Sequence, residues 1–230
     1  MLTSSTDSAQ PDDYAVIIGI DCYPLMPGAD LENARRDALA FKAWLILDGV
    51  PEGNISTVLT TVDSHDPLPQ KREIDEAYEL VFRLAKAKHG EGRVPRRLYV
   101  YYAGHGTSQG QRHVALLTAG ISVDYMNRSL NTSEYHDGLS TRALFPEQIL
   151  FYDCCRNYDW RVPGEGPEWT RGELEGDVAS VEQWVYYAAG FTELQPDRNQ
   201  ISPDRPPDRC NQRLGRPNAH TDSLYGRRHA

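Results

Sequence analysis

Two short motifs combine a histidine and a cysteine in a pattern that can do chemistry. The motif Tyr-Ala-Gly-His-Gly contains His105, and the motif Asp-Cys-Cys-Arg-Asn contains Cys155, 50 residues further along the chain. Each motif follows an apolar run typical of a buried β-strand, Leu98–Tyr102 and Ile149–Tyr152. Ligands and catalytic side chains collect at such strand ends in α/β sheets. A thiol and an imidazole held there together are the minimum equipment for nucleophilic attack on an amide carbonyl.

Each of these residues also has a purely structural interpretation. A lone cysteine is more often a buried packing thiol than a nucleophile, and this fits Cys154, which lies closer to the strand. Cys155 lies at the rim, where the neighbouring Arg156 would favour the attacking thiolate. A histidine between two glycines can belong to a tight turn, but the pairing with Cys155 favours a general base. The flanking glycines permit positive φ and close backbone approach.

Alternating apolar runs and amphipathic stretches predict the scaffold that must position these residues. Runs rich in β-branched residues indicate parallel strands, and apolar side chains at helical spacing indicate helices. The order β-α-β-α-β, then β and β, predicts an α/β fold with helices on the faces of the sheet. The predicted strands are 14–20, 55–62, 98–102, 149–152 and 181–189, with a short strand or hairpin arm at 114–118. The predicted helices are 31–47, 71–89 and 141–147, whereas 120–140 and 157–178 are predicted loops.

Length and charge bound the domain organisation and the partners. A chain of 230 residues fits one α/β domain, which we assign to 14–195, after a Ser/Asp-rich segment at 1–13 that we predict to be disordered. Residues 196–230 hold seven arginines, five prolines and four aspartates, and form a predicted disordered tail. That tail carries +3, so residues 1–195 carry −12 of the net −9. A domain this acidic is a poor nucleic-acid binder.

No apolar run approaches 18 residues and no signal peptide is visible, so we expect no membrane contact and a cytoplasmic location. A nucleotide-binding alternative rests on the glycine-rich segment that begins at Gly104. Its spacing, G-x-G-x-x-x-G, is one residue longer than the dinucleotide fingerprint, and the chain has no Walker A motif. The sequence therefore gives this alternative little support.

Taken together, the motifs resemble the caspase-like cysteine peptidases of clan CD, in particular the metacaspase and prokaryotic caspase-homologue branch of peptidase C14. The resemblance rests on the run Tyr14–Ile20 followed by Asp21, on Asp37-Ala38 in the first helix, and on the two motifs that hold the histidine and the cysteine. It covers about residues 14–190. It implies a caspase-like three-layer sandwich with a mostly parallel central sheet and helices on both faces.

The same resemblance implies a cysteine endopeptidase acting on polypeptides. Cys155 would be the nucleophile and His105 the base, and the backbone amides of Gly106 and Cys155 would bind the oxyanion. Asp153 stands where caspases carry glutamine, which implies cleavage after arginine or lysine because a carboxylate pairs with a cation. Asp21 is expected at the same rim, where it would assist. The structural alternative for Asp153 is a turn cap.

Self-processing is a further expectation from the resemblance. In this family the loop between the nucleophile strand and the next strand is often cut during activation. Here that loop contains Arg171 and Arg161, and we expect cleavage after one of them, Arg171 first. The alternative is an uncut surface loop.

One departure from the family pattern concerns the end of the sheet. The family continues after the strand at 181–189 with a helix and a further apolar strand, which residues 196–230 cannot supply. We therefore expect the last sheet element to be missing and the open edge to pair with a partner chain or a second copy. The alternative function is a catalytically silent caspase-like interaction or regulatory module. No cofactor or metal is expected; calcium activation stays open, since no EF-hand spacing is present.

Overall fold

The described part of the molecule contains nine strands, three α-helices and a 3-10 helix at Glu52–Asn54. The computed structural model describes residues 11–61, 67–108, 113–159, 161–169 and 180–188. In chain order the strands and α-helices are β1 (Asp13–Gly19), α1 (Ala34–Leu47), β2 (Ile55–Leu59), α2 (Lys71–Gly90), β3 (Arg97–Ala103), β4 (Gly106–Ser108), β5 (Val114–Leu117), β6 (Ser129–Asn131), α3 (Thr132–Arg142), β7 (Glu147–Asp153), β8 (Asn157–Tyr158) and β9 (Glu182–Tyr187).

A five-stranded sheet in the order β2-β1-β3-β7-β9 forms the centre of the fold, and all of its pairings are parallel. The central strand β1 is buried along its whole length, as its run of β-branched residues predicts. Because the strands are parallel, their carboxyl ends meet at one edge of the sheet, and β3 and β7 both end there. The predicted α/β architecture is confirmed.

Helices cover both faces of this sheet and complete three layers. On one face, Phe41 and Leu45 of α1 pack with Ile17 and Tyr99. On the other face, α2 and α3 contribute buried side chains to a larger core. Helix α2 begins with a capping box, in which the Gln70 side chain and the Glu73 side chain each bond a backbone amide of the first turn.

A second, smaller sheet extends the molecule beyond the end of β3. Its order is β6-β5-β4-β8, with antiparallel β6-β5 and β5-β4 pairs and a parallel β4-β8 pair. The glycine-rich segment that follows His105 therefore runs into strand β4. The dinucleotide motif needs a helix at that point, so the nucleotide-binding alternative lacks its structural context.

Two local predictions are wrong, and a third is wrong in part. The predicted loop at 120–140 contains β6 and most of α3, because the buried side chains of α3 are only Thr132, Tyr135 and Leu139, too sparse a set to reveal the helical period. The predicted helix at 141–147 is absent, since α3 ends at Arg142 and Ala143 takes a left-handed conformation with φ 52°. The predicted loop at 157–178 begins with β8, and its described part buries Val162 and Trp169.

Within the described residues, β9 is the outer strand of the sheet and nothing pairs with its far side. Its side chains Trp184 and Tyr186 are 39% and 52% exposed. The expected pairing of this edge with another chain stays a prediction. The predicted tail at 196–230 and residues 1–10 of the predicted N-terminal segment lie outside the described residues. No helix in the described ranges has the length and apolar character needed to cross a membrane.

Candidate active site

The register of the two sheets sets His105 beside Cys155. Ala103 pairs with Asp153 where β3 meets β7, and Thr107 pairs with Asn157 where β4 meets β8. His105 and Cys155 are each two residues from both pairs, so they occupy equivalent positions on neighbouring chains. Neighbouring strands lie about 4.8 Å apart. The register therefore places the backbones of His105 and Cys155 side by side at the carboxyl edge of the sheet.

The glycines on either side of His105, Gly104 and Gly106, allow the backbone to pack closely against its neighbours. A Cβ atom on Gly106 would lie 2.7 Å from Cys154 Sγ and 2.8 Å from the Cys155 carbonyl oxygen. A Cβ atom on Gly104 would lie 2.9 Å from the Tyr23 hydroxyl. Both glycines therefore serve close backbone approach, as the sequence suggested. Neither has the positive φ that the sequence also allowed.

The His105 ring is held by the loop between β1 and α1. Its Nε2 lies 2.6 Å from the Ala29 carbonyl oxygen. A carbonyl can only accept, so Nε2 carries the hydrogen in this contact and Nδ1 is left as the basic atom. Burial holds the pKa of His105 below its ordinary value of 6.5, and the Ala29 carbonyl and the Asp30 carboxylate partly oppose that shift. The imidazole is therefore neutral, and able to accept a proton, at neutral pH.

The adjacent cysteines differ in the way that the alternation of the strand predicts. Cys155 is exposed, whereas Cys154 is buried. Burial raises the pKa of Cys154 to about 12, which keeps that thiol protonated and inert. The Arg156 guanidinium lies over the Tyr187 ring, 4.3 Å from its centroid, and its expected support of the Cys155 thiolate stays a prediction.

An acidic group lies on the α1 side of the same edge. Asp153 lies two residues after Phe151 in β7, so both side chains are on the same face of the sheet. Phe151 packs on Phe41 of α1, which identifies this face as the one that α1 covers. The Tyr101 hydroxyl donates to Asp153 Oδ2 at 3.4 Å. Partial burial raises the pKa of Asp153, and the carboxylate of Asp37 raises it further. An anion is therefore costly here unless a cation joins it.

Two other carboxylates belong to this region. Burial raises the pKa of Asp21, while the Arg35 guanidinium on α1 opposes the shift. Asp21 therefore already has a nearby cation, unlike Asp153, whose effective neighbour is the like charge of Asp37. Asp37, which in the sequence supports only the family resemblance, is also a member of this acidic group. The signal for this membership is its position in the first turn of the helix that follows β1.

The backbone amide of Gly106 has a defined direction. The amide of Leu117 donates to the His105 carbonyl at 2.9 Å, which makes these two residues a hydrogen-bonded pair of the β4-β5 ladder. Gly106 and Leu116 are then a non-hydrogen-bonded pair, so the Gly106 amide is directed away from β5. That direction is towards β8 and the Cys155 backbone.

Of the two predicted processing sites, Arg161 lies within the described residues. Arg161 is exposed and makes a two-pronged contact with Asp159, at 2.9 and 2.7 Å. The next residue, Val162, is 1% exposed, so the bond after Arg161 is anchored to the core. Arg171 lies outside the described residues. Self-cleavage at either site stays a prediction. Among the described residues no group of histidine, cysteine, aspartate and glutamate side chains could hold a metal ion.

Comparisons with known proteins find similarity to a family model, to a protein sequence and to a solved structure. The family model Peptidase_C14, caspase domain, matches residues 12–220. A protein described as a probable protease, from a Desulfuromonadales bacterium, is 31% identical over 171 residues, which are 64% of this chain and 18% of that protein. The chain thus spans about a fifth of the length of that relative. A crystal structure of a Geobacter sulfurreducens protein aligns with a TM-score of 0.44 and 16% identity, over 63% of this chain and 51% of that one.

Proposed function

Because the chain belongs to the caspase domain family, Peptidase C14, we propose that it is a cysteine endopeptidase that cleaves polypeptides after arginine or lysine. The observation that carries this proposal is the register of β3 with β7 and of β4 with β8, which sets His105 opposite Cys155.

In the proposed reaction Cys155 is the nucleophile and His105 is the base. Nδ1 of His105 takes the thiol proton, and the sulfur attacks the carbonyl carbon of the peptide bond. The C–N bond then breaks, and the leaving amine takes the proton from Nδ1. A water molecule, deprotonated by the same nitrogen, then attacks the thioester carbonyl carbon; the C–S bond breaks, and the Cys155 sulfur recovers the proton from Nδ1. The contact between Nε2 and the Ala29 carbonyl supports this assignment because it fixes which nitrogen is free.

The amides of Gly106 and Cys155 are the proposed donors to the oxyanion of the tetrahedral intermediate. The direction of the Gly106 amide, away from β5 and towards Cys155, supports its part in this pair. Fixed backbone donors cost no reorganisation during the reaction, and removing one such donor typically lowers the rate by about 10²–10³-fold.

The substrate side chain is proposed to bind at Asp153, with help from Asp37 and Asp21. A guanidinium or ammonium group would neutralise the half-buried Asp153 carboxylate, whose raised pKa reflects burial and the charge of Asp37. Asp21 contributes less, because Arg35 already offsets its charge. A P1 aspartate at this position would be repelled by the carboxylates of Asp153 and Asp37.

A covalent probe with an arginine-like recognition group tests the proposal directly. Labelling of the wild type but not of Cys155→Ala is expected, with and without added Ca²⁺ to reveal any calcium requirement. Peptides that differ only at P1 should be cleaved much faster with arginine than with aspartate. Absence of labelling and of cleavage under both conditions would instead favour the silent interaction module.

Asp153→Asn is expected to lower kcat/KM for an arginine-P1 peptide by about 10–100-fold, the loss typical of one charge-assisted hydrogen bond. Because the pKa of Asp153 is raised, its charged form is disfavoured in the folded state, so the neutral asparagine should not lower the melting temperature at pH 7. Asp48→Asn, at the far end of α1, is the matched control. Unchanged selectivity in Asp153→Asn would remove this residue from the proposed pocket.

The acid limb of the pH profile is expected below the ordinary histidine value of 6.5. The base works only while neutral, so activity is lost as pH falls through the pKa of His105, which burial has lowered. Asp30→Asn keeps an oxygen acceptor but removes a negative charge that raises the pKa of His105. The acid limb of this variant should therefore lie at a lower pH than the acid limb of the wild type. Measuring kcat/KM between pH 4 and 9 checks both. A wild-type limb above pH 7 would contradict the assignment.

A further inference from the structure

We infer that Tyr23, in the loop between β1 and α1, is a positioning residue that fixes both the ring and the backbone of His105. The inference rests on the proposed function, in which His105 must face Cys155. Tyr23 is 1% exposed, and nothing in the motifs around the histidine and the cysteine points to it.

Tyr23 contacts His105 in two independent ways. Its ring lies against the imidazole, with centroids 4.8 Å apart and planes tilted by 49°. Its hydroxyl accepts a hydrogen bond of 2.8 Å from the His105 backbone amide. One contact limits rotation of the ring, and the other fixes the peptide that carries it.

A chain of hydroxyl groups extends this contact around the His105 peptide. The Tyr102 hydroxyl lies 2.8 Å from both the His105 and the Leu117 carbonyl oxygens, and it is also hydrogen-bonded to Tyr23. Carbonyls only accept, so the single hydroxyl hydrogen of Tyr102 is directed towards these two oxygens. The chain therefore runs from the His105 amide through Tyr23 and Tyr102 and returns to the His105 carbonyl. Gly104 leaves room for it, since a Cβ there would lie 2.5 Å from the Tyr102 hydroxyl.

The loop that carries Tyr23 is itself closed by hydrogen bonds. Asp30 Oδ1 accepts from the Tyr23 amide at 2.8 Å, and the Leu31 amide donates to the Asp21 carbonyl at 2.8 Å. The same loop supplies the Ala29 carbonyl that bonds Nε2. One loop thus holds the imidazole by its edge, through Ala29, and by its face, through Tyr23.

The arrangement predicts separate effects of the Tyr23 hydroxyl and the Tyr23 ring on His105. Tyr23→Phe keeps the ring against the imidazole but leaves the His105 amide without its acceptor, so the peptide can shift. Tyr23→Leu removes the ring as well. Displacement of a catalytic group by about 1 Å can cost about a hundredfold in rate. Substrate binding at Asp153 does not involve Tyr23, so the loss should fall on kcat rather than on KM.

The test compares Tyr23→Phe and Tyr23→Leu with His105→Ala, and uses Tyr14→Phe as the matched control. Tyr14 is also a fully buried tyrosine, but among the described residues its hydroxyl has no hydrogen-bond partner. Two readouts are taken at pH 7: kcat and KM on an arginine-P1 peptide, and the rate at which iodoacetamide modifies Cys155, identified by tandem mass spectrometry. The second readout needs no peptide recognition. Circular dichroism and melting temperature show that each variant is folded.

We expect Tyr23→Phe to lower kcat about tenfold with KM within about twofold, Tyr23→Leu to lose about a hundredfold, and Tyr14→Phe to match the wild type. Alkylation of Cys155 should fall in the same order towards the rate of His105→Ala. Wild-type rates in folded Tyr23→Phe and Tyr23→Leu, with a slow His105→Ala, would overturn this inference alone. A wild-type alkylation rate in His105→Ala would overturn the proposed pairing and the inference with it. Slower alkylation in the Tyr23 variants without peptide cleavage by any form would support the inference and overturn the peptidase proposal.

Discussion

His105→Ala is expected to lower kcat on an arginine-P1 peptide by about a thousandfold, while KM changes little. A positioned general base and acid typically contributes about 10²–10⁴-fold, and this imidazole has both tasks in the proposed reaction. Its Nε2 is occupied by the Ala29 carbonyl, so only Nδ1 can move protons. Measurement of kcat and KM under saturating conditions separates loss of chemistry from loss of binding.

Two companion measurements make this result specific to the imidazole. His89→Ala removes an exposed histidine from the last turn of α2 and should retain wild-type kinetics. Added imidazole should partly restore the activity of His105→Ala, because alanine leaves an opening where the ring stood between Tyr23 and Ala29. A loss smaller than tenfold in His105→Ala would mean that another group activates Cys155.

The strands that lead to this site could be predicted because they are mostly apolar: β1 is buried along its whole length and β3 nearly so, whereas β7 alternates buried with half-buried positions. β1, β3 and β7 lie inside a parallel sheet between two layers of helix, so their sequences are nearly continuous apolar runs. Such runs stand out from the polar turns around them. Once the strands are known to be parallel, the common edge for His105 and Cys155 follows from geometry alone.

The shorter elements carry too little signal to be predicted in this way. β4, β6 and β8 have three, three and two residues, and so few positions cannot establish a period. Their pairing depends on the register of the neighbouring sheet. α3 shows a related limit, because it buries one side at Thr132, Tyr135 and Leu139 while Gly138 and several polar residues fill the rest.

The surroundings of His105 depend on contacts between residues far apart in the sequence. Ala29 acts through a backbone carbonyl, which every residue possesses, so its side chain gives no indication of the contact. Tyr23 lies in a turn-rich segment, 82 positions before the histidine whose amide it binds. Asp37 acts on Asp153 through space, from a helix on the face of the sheet. The motifs therefore predict which residues react, and the loop after β1 determines how they are held.

Gly106→Ala is expected to reduce activity by at least about a hundredfold, comparable to a displacement of the nucleophile by about 1 Å. The new Cβ would lie 2.7 Å from Cys154 Sγ and 2.8 Å from the Cys155 carbonyl oxygen, so the backbone at Cys155 must move. The same shift would misdirect the two amides proposed to bind the oxyanion. Gly53→Ala is the control, because nothing lies within 4 Å of the position of its Cβ. A folded Gly106→Ala protein that retains wild-type kcat and labels normally at Cys155 would show that the close approach of β4 to the cysteine is not required for the reaction.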